Sequence, residues 1–98
     1  MILVIGRVLV RQENLSQALQ LSLEHVARSR AEPGCVSHCV HQDAENSMRL
    51  VFVEEWADQA SLQQHFKVAE SRVFAKELSA LAAEPPSMVI YNATPVGP

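Results

Sequence analysis

The sequence predicts a single α+β domain with the element order β-α-β-β-α-β, and three observations predict it. Four runs rich in β-branched and aliphatic residues alternate with two longer stretches of helical period. A short polar turn, Ala44-Glu45-Asn46-Ser47, joins the middle two runs and marks them as an antiparallel hairpin. The first and third runs are apolar on both alternate faces, as in a sheet covered on both sides.

Each element has a local reason. Residues 2–11 read as the first strand, from Ile2 through Val10. Arg11 to Asn14 breaks it, and Asn14 is a candidate N-cap for a helix running to about Ala31. Leu15, Leu19, Leu23 and Val26 recur at steps of four, four and three and form its expected buried face. Glu32-Pro33-Gly34 ends the helix. Cys35 to Asp43 and Met48 to Trp56 are the hairpin strands. Asp58 caps a second helix carrying Leu62, Phe66 and Ala69, which continues through Val73, Phe74, Leu78 and Leu81 with a bend expected near Glu70 or Ser71. Pro85-Pro86 stops it, and Ser87 to Asn92 is the fourth strand. The expected domain spans residues 2–93, with a tail at 94–98. This order is the split β-α-β pattern of the ferredoxin-like fold, a four-stranded antiparallel sheet with both helices on one face.

The pleat adds a further expectation. Ile2, Val4, Val8 and Val10 share one side of the first strand, and Leu3, Ile5 and Leu9 the other. Leu50, Phe52 and Trp56 likewise oppose Val51 and Val53. Two helices cover one face only, so the other is expected to meet a second copy of the chain about a two-fold axis, giving a dimeric α+β barrel.

Composition narrows the function. The 98 residues are 48% hydrophobic and carry a net charge of −3, with no Lys/Arg cluster, so neither nucleic acid nor an anionic membrane surface is an expected partner. Arg28 and Arg30 read as favourable cations at a helix C-terminus. The apolar N-terminal run is too short to span a bilayer and lacks the marks of a secretory signal, so a cytoplasmic location is expected. Cys35 and Cys39 lie four apart on one strand, roughly 13 Å between Cα atoms. A disulfide needs less than about 7 Å, so both are expected as reduced thiols. No phosphate-binding glycine loop, Ser-His-Asp order, HExxH motif or set of soft metal ligands is visible; no cofactor and no metal are expected.

The candidate site gathers where the third strand hands over to the second helix. His65 borders the Leu62–Ala69 stripe and follows Trp56 by nine residues, so Trp56, His65 and Phe66 are placed to converge on a cavity between sheet and helices. Histidine is suited to proton exchange near neutral pH, which makes His65 the candidate catalytic residue. Trp56, Phe66, Phe52 and Glu54 are the candidate substrate-binding residues. The plainer alternative makes Trp56 a core residue with His65 at its edge. One of Glu54 and Glu55 must face a covered side, and pairing with Arg7 or Arg49 across strands is the simpler account of it. His25 is expected at the surface or edge of the first helix, and His38 and His41 on opposite faces of the second strand, all three in packing roles.

The run Ser29-Arg30-Ala31-Glu32-Pro33-Gly34-Cys35, and the block Glu54-Glu55-Trp56-Ala57-Asp58 followed by His65, Phe66, Phe74 and Leu78, resemble the antibiotic biosynthesis monooxygenase domain family. The resemblance covers most of the chain. It implies a dimeric α+β barrel and a range of activities: cofactor-independent quinol or polyketide monooxygenases, haem degraders, and isomerases of a phosphorylated sugar derivative. Haem degradation implies an axial His on the second helix and an Asn on the first strand; here those places fall near Ala75 and at Gly6 or Arg7, which argues against it. The expected activity is a cofactor-free monooxygenation of a quinol-like or other electron-rich aromatic by dioxygen, with His65 taking the phenolic proton. A small-molecule isomerase in the same pocket and a non-catalytic binding protein are the alternatives.

Overall fold

The computed structural model describes residues 1–97; Pro98, the end of the expected tail, lies outside the described residues. The elements are β1 (Ile2–Leu9), α1 (Leu15–Arg30, entered through a 3-10 turn at Gln12–Asn14), β2 (Cys35–Gln42), β3 (Arg49–Trp56), α2 (Gln59–Lys67), α3 (Ala69–Leu81) and β4 (Ser87–Asn92). The strands form one antiparallel sheet in the order β2-β3-β1-β4, as the split β-α-β pattern requires. No helix is long and apolar enough to cross a membrane among the described residues.

The sheet's parity follows the sequence pattern. Ile2, Val4, Val8 and Val10 are buried with Leu50, Phe52 and Trp56 under the helices. Leu3, Ile5, Val51 and Val53 are only half-buried on the opposite face. Pairing of Val4 with Ile90 and of Gly6 with Met88 puts Ile90 and Met88 on the helix side, yet the helices do not reach them, and all of β4 is exposed.

Three details differ from expectation. First, α1 is rolled about its axis. It buries Ala18, Ser22, His25, Val26 and Ser29, while Leu23 is 59% exposed. Small residues at 18, 22 and 29 let the helix approach the sheet closely, so the leucines pack only at the flank. His25, expected at the surface or edge, is therefore buried. Second, the helical bend falls at Val68, whose extended backbone (φ −66°, ψ 126°) separates α2 from α3. Third, β2 carries a bulge between Cys35 and Ser37. An extra residue shifts facing by one position, so Cys35 packs under the helices against the Trp56 cluster while Cys39 pairs with Val53 on the open face. Both cysteines are free, and burial pushes the Cys35 thiol above its ordinary value.

Asn14 makes no side-chain cap, whereas Asp58 caps α2 as expected, accepting from the Ser61 backbone N–H and hydroxyl at 2.8 Å each. Gly34, at φ +81°, makes the turn into β2; its carbonyl accepts from Ala57 N–H, and a Cβ here would collide with the Ser61 side chain.

Two stability outcomes follow. The Ser61 hydrogen bonds hold the Asp58 carboxyl below its ordinary value of 3.8. A depressed carboxylate stabilises the fold above its unfolded pKa and loses that contribution as pH falls through its folded one. Asp58→Ala should thus lower Tm at neutral pH, with the gap to wild type narrowing below pH 3.8 in thermal melts. Gly34→Ala should cost about 1–3 kcal/mol in denaturant unfolding, part of it recovered in Gly34→Ala/Ser61→Gly, which removes the collision and leaves the backbone strain.

Candidate active site

A polar layer is set into the apolar core beneath the helices. It comprises His25 from α1, His38 from β2, Glu54 from β3 and His65 from α2, all buried. On one side stands the cluster around Leu50, Phe52, Phe74 and Leu78; on the other, the smaller one of Ile2, Val4, Trp56 and Leu62. Ring contacts bridge the two. His25 stacks on Phe74 at 4.0 Å, and its ring centre lies 5.2 Å from that of His38 and 5.3 Å from that of His65. His65 in turn sits 4.7 Å from the Trp56 ring.

Local structure positions each member. His38 pairs with Glu54 across the β2–β3 ladder, and His38 Nε2 comes within 3.2 Å of Glu54 Oε1, although the ring N–H is not aimed well enough for a hydrogen bond. Trp56 Nε1 donates to the same oxygen at 2.9 Å. Burial alone would raise the Glu54 carboxyl; the His38 ring and the Trp56 hydrogen bond outweigh it and hold the group below its ordinary value. Arg30 Nε donates to the His38 carbonyl at 2.9 Å, tying the end of α1 to β2. His65 Nδ1 donates to Glu32 Oε1 at 2.9 Å, so the residue before the Pro33-Gly34 turn fixes the tautomer of a ring on another helix. That leaves His65 Nε2 free. Desolvation, helped by the two neighbouring imidazoles, lowers the pKa of His25 to about 3, which keeps its ring neutral at physiological pH.

A cavity of about 250 Å³ opens beside this layer, between β1, β3, α3 and the start of β4. Its walls are mainly apolar, including Val8, Phe52, Phe66, Phe74, Leu78 and Met88, while His25, Glu54, His65, Arg7 and Arg72 are among the polar residues that line it. The candidates His65, Phe66, Phe52 and Glu54 therefore do meet at one cavity. Trp56 does not line it: the indole is fully buried (0% exposed) and acts from behind, as a donor to Glu54. Pairing of Glu54 with Arg7 or Arg49 is also corrected. Arg49 lies 3.8 Å from Asp43, Arg7 has no ion pair among the described residues, and the alternation that buries Glu54 points it at His38. The neighbouring Glu55 takes the open face and accepts from Ser37 Oγ at 2.6 Å.

His38 and His41 do lie on opposite faces, and His41 is exposed. The sequence reading missed the grouping of His25 and His38 with His65. One signal was available: His25 continues the stripe of small residues Ala18, Ser22 and Ser29, which marks the side of α1 nearest the sheet. Ala75 lines the cavity, and its methyl group offers no ligand atom.

Comparison with known proteins agrees with this architecture. The family model described as antibiotic biosynthesis monooxygenase matches residues 1–77. An uncharacterized protein of Synechocystis is 30% identical over 91 residues, covering 93% of this chain; the chain spans 62% of that relative's length. A crystal structure of an antibiotic biosynthesis monooxygenase superposes with a TM-score of 0.90 at 27% identity, covering 97% of this chain and 100% of that one. A conserved protein from Methanosarcina mazei Go1 gives the same TM-score and identity over 95% of this chain and 92% of its own. With the matched segment running from β1 into α3, the chain belongs to the antibiotic biosynthesis monooxygenase family.

Proposed function

We propose that this chain oxygenates a quinol-like or other electron-rich aromatic with dioxygen and without a redox cofactor. The carrying observation is the pairing of an apolar cavity with one fixed imidazole: His65, locked by Glu32 through Nδ1, has only Nε2 left with which to act. In this reading Phe52 and Phe66 hold the ring, and Nε2 takes the phenolic proton. The resulting anion is electron-rich enough to reduce dioxygen itself. One oxygen atom enters a ring C–H position and the other leaves as water. Quinol plus dioxygen thus yields hydroxyquinone plus water, all four electrons coming from the substrate. Apolar walls suit this chemistry because they exclude water from the reactive pair. The protein would work in the cytosol, where Cys35 and Cys39 stay as thiols.

The same reading makes the working unit a homodimer. Leu3, Ile5, Val51 and Val53 are half-buried on the open face, and Val89 and Tyr91 of β4 are 42% and 48% exposed beside them. A contiguous apolar sheet face of this kind is the surface a second copy would cover.

Oxygen uptake with a menadiol-type quinol tests the chemistry. His65→Ala should slow it by about 100-fold or more, while His41→Ala, on the exposed side, should match wild type; equal rates in His65→Ala and wild type would remove His65 from the reaction. Turnover that persists under anaerobic conditions would favour isomerisation instead. For the assembly, light scattering should give a dimer at micromolar concentration and a monomer for Val53→Asp. A stable wild-type monomer would overturn the dimer.

A further inference from the structure

The buried histidines are arranged as ligands. One ring nitrogen from each of His25, His38 and His65 falls in a group whose members all lie within 4.8 Å of one another. Three imidazoles bound to one ion at about 2.1 Å set their ring centres roughly 5 Å apart. Here the centres are 5.2, 5.3 and 5.6 Å apart, close to that spacing, so the rings would turn their nitrogens inward to close on an ion.

Two further observations point the same way. Metal-bound histidines usually have a carboxylate behind the ring that fixes its orientation. Glu32 stands 2.9 Å from His65 Nδ1, and Glu54 stands 3.2 Å from His38 Nε2. In addition, His25 Nδ1 and His38 Nδ1, the His38 nitrogen turned away from Glu54, are buried without a hydrogen-bond partner. Buried polar atoms are nearly always satisfied, so two orphaned ring nitrogens in one cluster ask for a ligand.

We propose that His25, His38 and His65 bind one divalent transition-metal ion of the zinc, cobalt or nickel kind, with its remaining coordination open to the cavity that His25, His65 and Glu54 line. An all-imidazole set selects these ions over magnesium or calcium, which want oxygen. With Nδ1 held by Glu32, His65 ligates through Nε2. Ion and substrate proton then compete for one lone pair, so the oxygenation proposed above belongs to the metal-free form. The binding site itself does not depend on that reading.

The test is titration of the metal-free full chain with Co²⁺ alone, followed by calorimetry and by the visible bands of a low-coordinate cobalt ion. One ion per chain is expected, displaced by Zn²⁺ with loss of colour. His25→Phe and His38→Gln, each checked for fold by circular dichroism, should each weaken binding at least tenfold. Glu32→Gln should weaken it by about 10–100-fold, and His41→Ala should leave it unchanged. The proposal is overturned if wild type shows no bands at one equivalent, if binding survives at full strength in whichever of the two histidine variants folds, or if His41→Ala abolishes it. These readouts stand whether or not the protein oxidises a quinol.

Discussion

The approach of α1 to the sheet is the constraint on which the rest depends. A helix with leucines facing β2 and β3 would stand off by the length of those side chains. Ala18, Ser22 and Ser29 remove that spacer, and the Ser29 hydroxyl turns back to the His25 carbonyl at 2.7 Å, leaving the contact surface smooth. The helix then sits low enough for the His25 ring to meet His38 on β2 and stack on Phe74 of α3. One short-residue stripe thus decides both the depth of the core and the membership of its polar layer.

The polar layer also explains the division of the core into two apolar clusters. A continuous core would leave His38 and Glu54 against hydrocarbon with nothing to answer them. Instead Trp56 donates to Glu54 and lays its ring against His65, so the chain's only tryptophan serves as both wall and hydrogen-bond donor. The cavity opens where this layer meets the edge of the helical cover. The break at Val68 lets Phe66 of α2 and Phe74 of α3 both face the cavity, which a single straight helix would find harder to do. Fold and site are one arrangement: the helices that fail to reach β4 are the ones that leave the cavity beside it.

Much of the fold was legible because it rests on local signals. Strand parity, the hairpin turn and the Asp58 cap each depend on a few adjacent residues, and each appears at its expected place, whereas α3 already ends at Leu81, where Ala82 turns extended and bridges Val10 ahead of Pro85-Pro86. The roll of α1 was not legible from its leucines, since two faces of that helix carry apolar residues and only the sheet's shape chooses between them. The β2 bulge is invisible for a similar reason: nothing in Cys35-Val36-Ser37 announces an extra residue, yet it moves Cys35 to the other face. For the site, helical spacing was enough to bring His65, Phe66 and the β3 face together. Trp56 was misplaced because spacing reports direction but not depth, and its ring lies behind Glu54 and not on the cavity wall. The partnership of Glu32 with His65, 33 residues apart, depends on how a turn meets a helix and leaves no periodic trace.

A core of this size has strong reason to avoid such a layer. Three imidazoles and a carboxylate taken out of water lose their hydration, and orphaned nitrogens recover little of it. Small domains have only a few kcal/mol of net stability to spare, and leucine or phenylalanine at 25 and 38 would fill the same space without that cost. Perturbed, closely grouped titratable side chains beside a cavity are a mark of a working site for this reason: nothing in packing favours them. The second apolar face bears on the same balance. A sheet open on one side, with β4 uncovered on both, leaves a single chain short of buried surface, and whatever covers that face offsets what the polar layer costs.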